Sequence, residues 1–236
     1  LILYWQRHAI RQFGNEWNAD RHLVKARQEL ENGAPRVALN RAVTSIRLEP
    51  NRIDTLRVIL EAARQSADSR LLSIAQAVFI HTESTTDDRI EAIAAINDIG
   101  DKIRFQQFWE RLDPEDKSHP NAAAEYCRFL LGSGRPSKVI EFLATFETKT
   151  DELSRLRVEA QLQLSLDQDT GFLRDGLVGA IRLVEEGSDE MRLEILNRLA
   201  RLPHSQFEPE EAQTLLEAIE KVADKSVIRH LEDRGF

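Results

Sequence analysis

The sequence predicts an all-α protein built from antiparallel helix pairs, and three observations carry that prediction. The 236 residues include only ten Gly and seven Pro, with 42% hydrophobic and 31% charged side chains, a profile poor in turn formers and rich in helix formers. The helical pattern breaks at Gly33-Ala34, Ala67-Asp68, Gly100-Asp101, Gly134-Arg135 and Asp167-Gln168, at intervals of 33 or 34 residues. Apolar residues keep station around every break. Ala26, Leu60, Ile93, Cys127 and Ala160 lie seven residues before it, and Ala38, Leu72, Phe105, Val139 and Phe172 five residues after. A helix commonly ends on a residue that tolerates the left-handed conformation, which suits glycine at three of the breaks. A period of 34 with a break in mid-unit describes a helix-turn-helix repeat.

Taken in order, the pattern predicts helices over 3–13, 17–32, 35–48, 52–66, 69–82, 87–99, 101–112, 121–132, 136–147, 151–166, 170–186, 188–202, 208–223 and 226–234. Pro50-Asn51 ends one helix and starts the next, because proline cannot continue a helix interior but suits a first turn. Asp151-Glu152, Ser188-Asp189-Glu190 and Glu208-Pro209-Glu210-Glu211 place acids and capping residues at helix starts, where the dipole favours them. Gly176 and Gly179 share one face of the helix over 170–186. Glycine inside a helix costs about 1 kcal/mol relative to alanine, so the pair predicts a close helix crossing.

The clearest unit, residues 19–52, has Ala26, Gly33, Ala38 and Pro50 at the spacing of a small residue, a turn glycine, a second small residue and a closing proline. Residues 120–153 form another, with Tyr126-Cys127, Leu130, Gly134, Val139, Leu143 and Phe146. In these positions the chain resembles the tetratricopeptide repeat family. Units near 53–86 and 87–119 fit moderately, Pro114 lies off register in the third, and the unit near 154–187 lacks its glycine. The resemblance implies a right-handed superhelical solenoid of about five to six repeats plus a capping helix. Residues 19–187 would be the repeats, 1–18 an N-terminal helix, and 188–236 a C-terminal helix pair with its cap.

Charge and chemistry narrow the function. The net charge is −8, unevenly spread: +4 over residues 1–66, −8 over 67–186 and −4 over 187–236. An acidic chain excludes a general nucleic-acid binder, which needs a basic face for phosphates. Cys127 is the sole cysteine, so no internal disulfide forms, and its place in the small-residue column predicts a buried structural thiol. The six histidines include no pair at i, i+3 or i, i+4, so no helical metal site is written here. Gly132-Ser133-Gly134-Arg135-Pro136 lacks the strand and the Gly-Lys-Ser/Thr ending of a phosphate loop and reads as a helix connection. Asp87-Asp88 and Glu185-Glu186 read as caps and solvated surface. No acid–base pair emerges, and the chain is expected to be neither an enzyme nor a cofactor binder.

The opening Leu1-Ile2-Leu3-Tyr4-Trp5-Gln6-Arg7-His8 runs from aliphatics through Tyr-Trp to basic residues, the order found where a membrane helix leaves the bilayer. An ordinary amphipathic helix continuing through Ile10 and Phe13 reads the same residues. The tethered reading expects a membrane-associated protein anchored N-terminal to Leu1.

In the tetratricopeptide family the first helix of each pair lines a concave groove. Carried over by register, that resemblance implies partner-binding positions at Arg27, Arg57, Arg64, Asn97, Arg128, Arg157 and Gln161, with Glu61 and the apolar Leu23, Leu30 and Leu131 among them. Guanidinium groups bond carboxylates bidentately, so an acidic protein or peptide partner is expected. The family's lysine–asparagine carboxylate clamp is absent. The resulting expectation is a protein–protein interaction scaffold or assembly subunit. The alternatives are a helical regulatory domain of a larger enzyme and a peptide-binding chaperone cofactor.

Overall fold

The computed structural model describes residues 2–146, 150–165, 179 and 213, with 2–13 and 165 by backbone alone. Among the described residues the regular structure is ten helices and no strand. In order they are α1 (Ile2–Glu31), α2 (Pro35–Leu48), α3 (Ile53–Gln65), α4 (Leu71–Ile80), α5 (Thr86–Ile99), α6 (Lys102–Arg111), α7 (Pro114–Lys117), α8 (Pro120–Gly132), α9 (Pro136–Ala144) and α10 (Asp151–Ser165). The chain divides into two compact units, Leu1–Lys117 and Ser118–Phe236. The fifth break and the helices expected from 170 onward lie outside the described residues, apart from Gly179 and Gln213.

Each of the four described breaks carries a left-handed residue: Gly33 at φ 72°, Ala67 at 50°, Gly100 at 77° and Gly134 at 69°. Three of them close their helix with the same pair of backbone bonds. Ala34 N–H donates to Glu29 O (2.8 Å) and Gly33 N–H to Leu30 O (2.9 Å). Asp68 N–H and Ala67 N–H reach Ala63 O (2.9 Å) and Arg64 O (3.2 Å) in the same way, as do Arg135 and Gly134 toward Leu130 O (3.0 Å) and Leu131 O (2.9 Å). Ala67 is the exception in chemistry: its Cβ crowds the backbone in this conformation, and its methyl is exposed. Ala67→Gly is therefore expected to raise stability by about 1 kcal/mol. Urea unfolding checks this, and a lowered midpoint would contradict the strained-terminus account.

The columns around the breaks are core. Ala26, Leu60, Ile93, Cys127 and Ala160 are all buried. After the break, Ala38, Phe105 and Val139 are buried, but Leu72 is only half-buried and Leu71 takes its place. The cause is local. The Asp68 carboxylate accepts from Arg70 N–H (2.9 Å) and Arg70 Nε (2.8 Å), holding a turn over Asp68–Arg70. So α4 starts four residues after its break, whereas α2, α6 and α9 start two after theirs, and its inward face shifts by one residue.

Two further expectations are corrected. The predicted gap between 13 and 17 is absent: α1 runs unbroken through Gly14 and Asn15. One glycine costs only about 1 kcal/mol, too little to end a helix that gains a bond per residue. The off-register Pro114 starts an extra helical turn, α7, which places Asp116 in the core.

Packing follows chain order. Within the first unit α1 packs on α2, α2 on α3, α3 on α4, α4 on α5 and α5 on α6. Alternate helices also meet, α1 with α3 and α3 with α5. Arg41 Nε reaches Glu29 Oε1 (3.3 Å) while Ser45 Oγ donates to Ala19 O (2.9 Å), so α1 and α2 are antiparallel. Phe79 of α4 meets Phe108 of α6 edge-on, with ring centroids 4.7 Å apart. In the second unit α8, α9 and α10 pack mutually, and Tyr126 meets Phe142 at 5.0 Å. Helical Gly179 lies against α10, where an added Cβ would sit 2.7 Å from Val158 Cγ2. That is the close crossing expected at this glycine; Gly176 lies outside the described residues. Among the described residues no helix is long and apolar enough to cross a membrane.

Candidate partner-binding face

In the first unit α3 and α5 run parallel, and two arginines of α3 join them. Arg57 of α3 grips Asp88 of α5 with a two-pronged bond, Nε to Oδ1 at 2.6 Å and Nη2 to Oδ2 at 2.8 Å. Its Nη1 also donates to Asp54 Oδ1 (2.7 Å). Two turns on, Arg64 Nε reaches Asp98 Oδ2 (2.5 Å) and its Nη1 reaches Glu91 Oε2 (3.1 Å). Arg52 likewise pairs with Asp20 of α1, and in the second unit Arg128 of α8 pairs with Glu125 and with Glu152 of α10 (Nη2 to Oε1, 2.5 Å).

Asp88 is the centre of the first set. It is buried, and it closes a capping box in which Thr85 N–H (2.8 Å) and Thr85 Oγ1 (2.9 Å) donate to its carboxylate. The Arg57 hydrogen bond, helped by Thr85, holds the Asp88 carboxyl down at about 2 despite its burial. The same bond raises the Arg57 guanidinium. Reading Asp87-Asp88 as caps and solvated surface thus holds for the exposed Asp87, while Asp88 is a cap as expected but is buried. The spacing that signals these pairs is legible in the sequence: Asp88 lies 31 residues after Arg57, and Asp98 lies 34 after Arg64, about one repeat on.

Between α3 and α5 the backbone leaves a cleft of about 450 Å³. Leu60 and Val78 form its floor, and Arg57, Glu61, Arg64, Asp87, Asp88 and Glu91 surround it. This cleft collects two of the sequence-predicted arginines, with Glu61. Arg128 and Leu131 line a cleft of about 340 Å³ in the second unit, beside Arg155, Leu156, Glu159 and Gln163. Arg27 is exposed on α1, while Asn97 on α5 and Arg157 and Gln161 on α10 are half-buried. Leu23 is buried in helix packing, Leu131 is buried where it lines the second-unit cleft, and Leu30 is half-buried.

The Cys127 thiol is fully buried, and burial pushes it up to about 12, so it carries no thiolate nucleophile at neutral pH. Among the described residues no group of His, Cys, Asp and Glu is placed to hold a metal ion. Comparison with protein-family models finds no matching family, and comparison with curated proteins finds no relative.

Proposed function

We propose that the chain is a protein-binding scaffold of the tetratricopeptide type, whose helix pairs stack as a right-handed solenoid and whose first helices form the working face. One observation carries the reading. α3 and α5 lie parallel and in contact, cross-linked one repeat apart by Arg57–Asp88 and Arg64–Asp98, with a cleft left between them. Stacked pairs present such a face along their length, and it binds partners over a large rigid surface without a deep pocket. The left-handed breaks and the buried small-residue column support the same reading. The chain acts by binding and carries no catalysis of its own. A tether through the N-terminal end belongs to this proposal, supported by the residue order Leu1 to His8 and by the unbroken course of α1 from Ile2.

Site-directed photo-cross-linking in native extract tests the face. A cross-linker at Glu61 or Glu91 on first helices is expected to capture discrete partner bands. The same group at exposed Gln76 or Ile103, on the second helices α4 and α6, is expected to capture none. Bands only from the second-helix positions would overturn the assignment.

A further inference from the structure

We propose that the α3–α5 cleft takes a basic segment of a protein partner, one apolar side chain seated on the floor and lysine or arginine groups on the rim. This rests on the scaffold reading and reverses the partner charge that the arginine series alone suggested. The two arginines in the cleft are already committed. Arg57 is held by Asp54 and buried Asp88, and Arg64 by Glu91 and Asp98. An acidic segment would compete for guanidinium groups that hold α3 to α5, and Asp88 would be left charged and buried without its partner. The carboxylates outnumber the cations: Glu61, Asp87, Asp88 and Glu91 line the cleft against Arg57 and Arg64, and Asp54 and Asp98 stand beside it. Glu61 and Asp87 are exposed, and among the described residues neither has a cation in ion-pair reach. The rim therefore presents unspent negative charge over an apolar floor, the complement of a segment that alternates apolar and basic groups. A volume of about 450 Å³ suits one large aliphatic or aromatic anchor.

The test uses the full chain and two labelled twelve-residue peptides with the same leucines, one with lysine and one with glutamate between them. Fluorescence anisotropy is expected to show saturable binding of the leucine–lysine peptide, weakened roughly tenfold or more by raised salt. Glu61→Lys/Asp87→Lys is expected to cut that affinity at least tenfold, and the milder Asp87→Asn to cut it severalfold. Glu31→Lys/Glu141→Lys, which changes net charge equally outside the cleft, is expected to leave it within twofold. Equal loss in both double variants overturns the site. Failure of the leucine–lysine peptide to bind also overturns the proposal. Tighter binding of the leucine–glutamate peptide, lost in the cleft variant, overturns the basic partner and leaves the scaffold standing. The scaffold itself fails separately, if cross-linking places partners on the second helices alone.

Discussion

Replacing Arg89 with methionine is expected to lower folding stability by about 3–5 kcal/mol, the largest single effect in the first unit. Asp116 is 2% exposed, and its carboxylate accepts from Arg89 Nε (2.6 Å), Arg89 Nη2 (3.1 Å) and Thr86 Oγ1 (2.6 Å). Arg89 also donates from Nη1 to Ser84 O (2.9 Å), so one guanidinium ties the start of α5 and its preceding turn to α7. Methionine keeps much of the stem's volume but strips both charge-assisted bonds from a carboxylate that cannot reach bulk water. Asp116→Asn is expected to cost less, because a neutral amide can stay buried and still accept from Thr86. Arg89→Lys is expected to fall between, since an ammonium keeps the charge but lacks the planar fork. Guanidinium unfolding of the three variants checks the ranking. A loss under about 1 kcal/mol for Arg89→Met would place the pair among the weak surface bridges.

Arg57→Met is expected to lower stability by about 2 kcal/mol at neutral pH and to change its pH dependence. In the folded chain Arg57 holds the Asp88 carboxyl at about 2, while an unfolded aspartate titrates near 3.9. The folded value is the lower one, so this contribution is complete above about pH 5 and is lost as pH falls through 4 toward 2. A difference near two pH units corresponds to about 2.6 kcal/mol, which solvent screening at the part-exposed Arg57 brings to about 2. Without Arg57 the folded and unfolded values converge, so the variant starts lower and its stability falls less steeply between pH 5 and 2. Asp88→Asn alone should flatten the same limb, and adding it to Arg57→Met should recover part of the loss, because the buried carboxylate is gone. Urea unfolding from pH 7 to pH 3 gives the curves. Parallel curves for wild type and Arg57→Met would show that the pair does not shape the acid limb.

The recurring helix ends were legible because their cause is local. The four described breaks turn on a residue at positive φ, and Gly33, Gly100 and Gly134 advertise it, while Ala67 was placed by the interval alone. Stacked helices need a small or apolar side chain at one station, and Ala26 through Ala160 keep it. What escaped the reading depends on single side chains acting across a turn or a repeat. One Asp68 turn rotated α4 by a residue and exchanged Leu72 for Leu71. Helical spacing put Arg57 and Arg64 on α3 and Arg128 on α8, but spacing says nothing of what already sits against a guanidinium. Carboxylates 31 and 34 residues downstream hold Arg57 and Arg64, and so the α3–α5 cleft faces its surroundings with more acid than base.

Hydrogen–deuterium exchange of the full chain, alone and saturated with the leucine–lysine peptide, tests most directly that the first helices are the working face. The expected result is slower exchange in α3 and α5 and in the 81–85 connection between α4 and α5, with α2 and α6 unchanged. Slowing confined to α2, α4 or α6, with α3 and α5 exchanging as in the free chain, would contradict it.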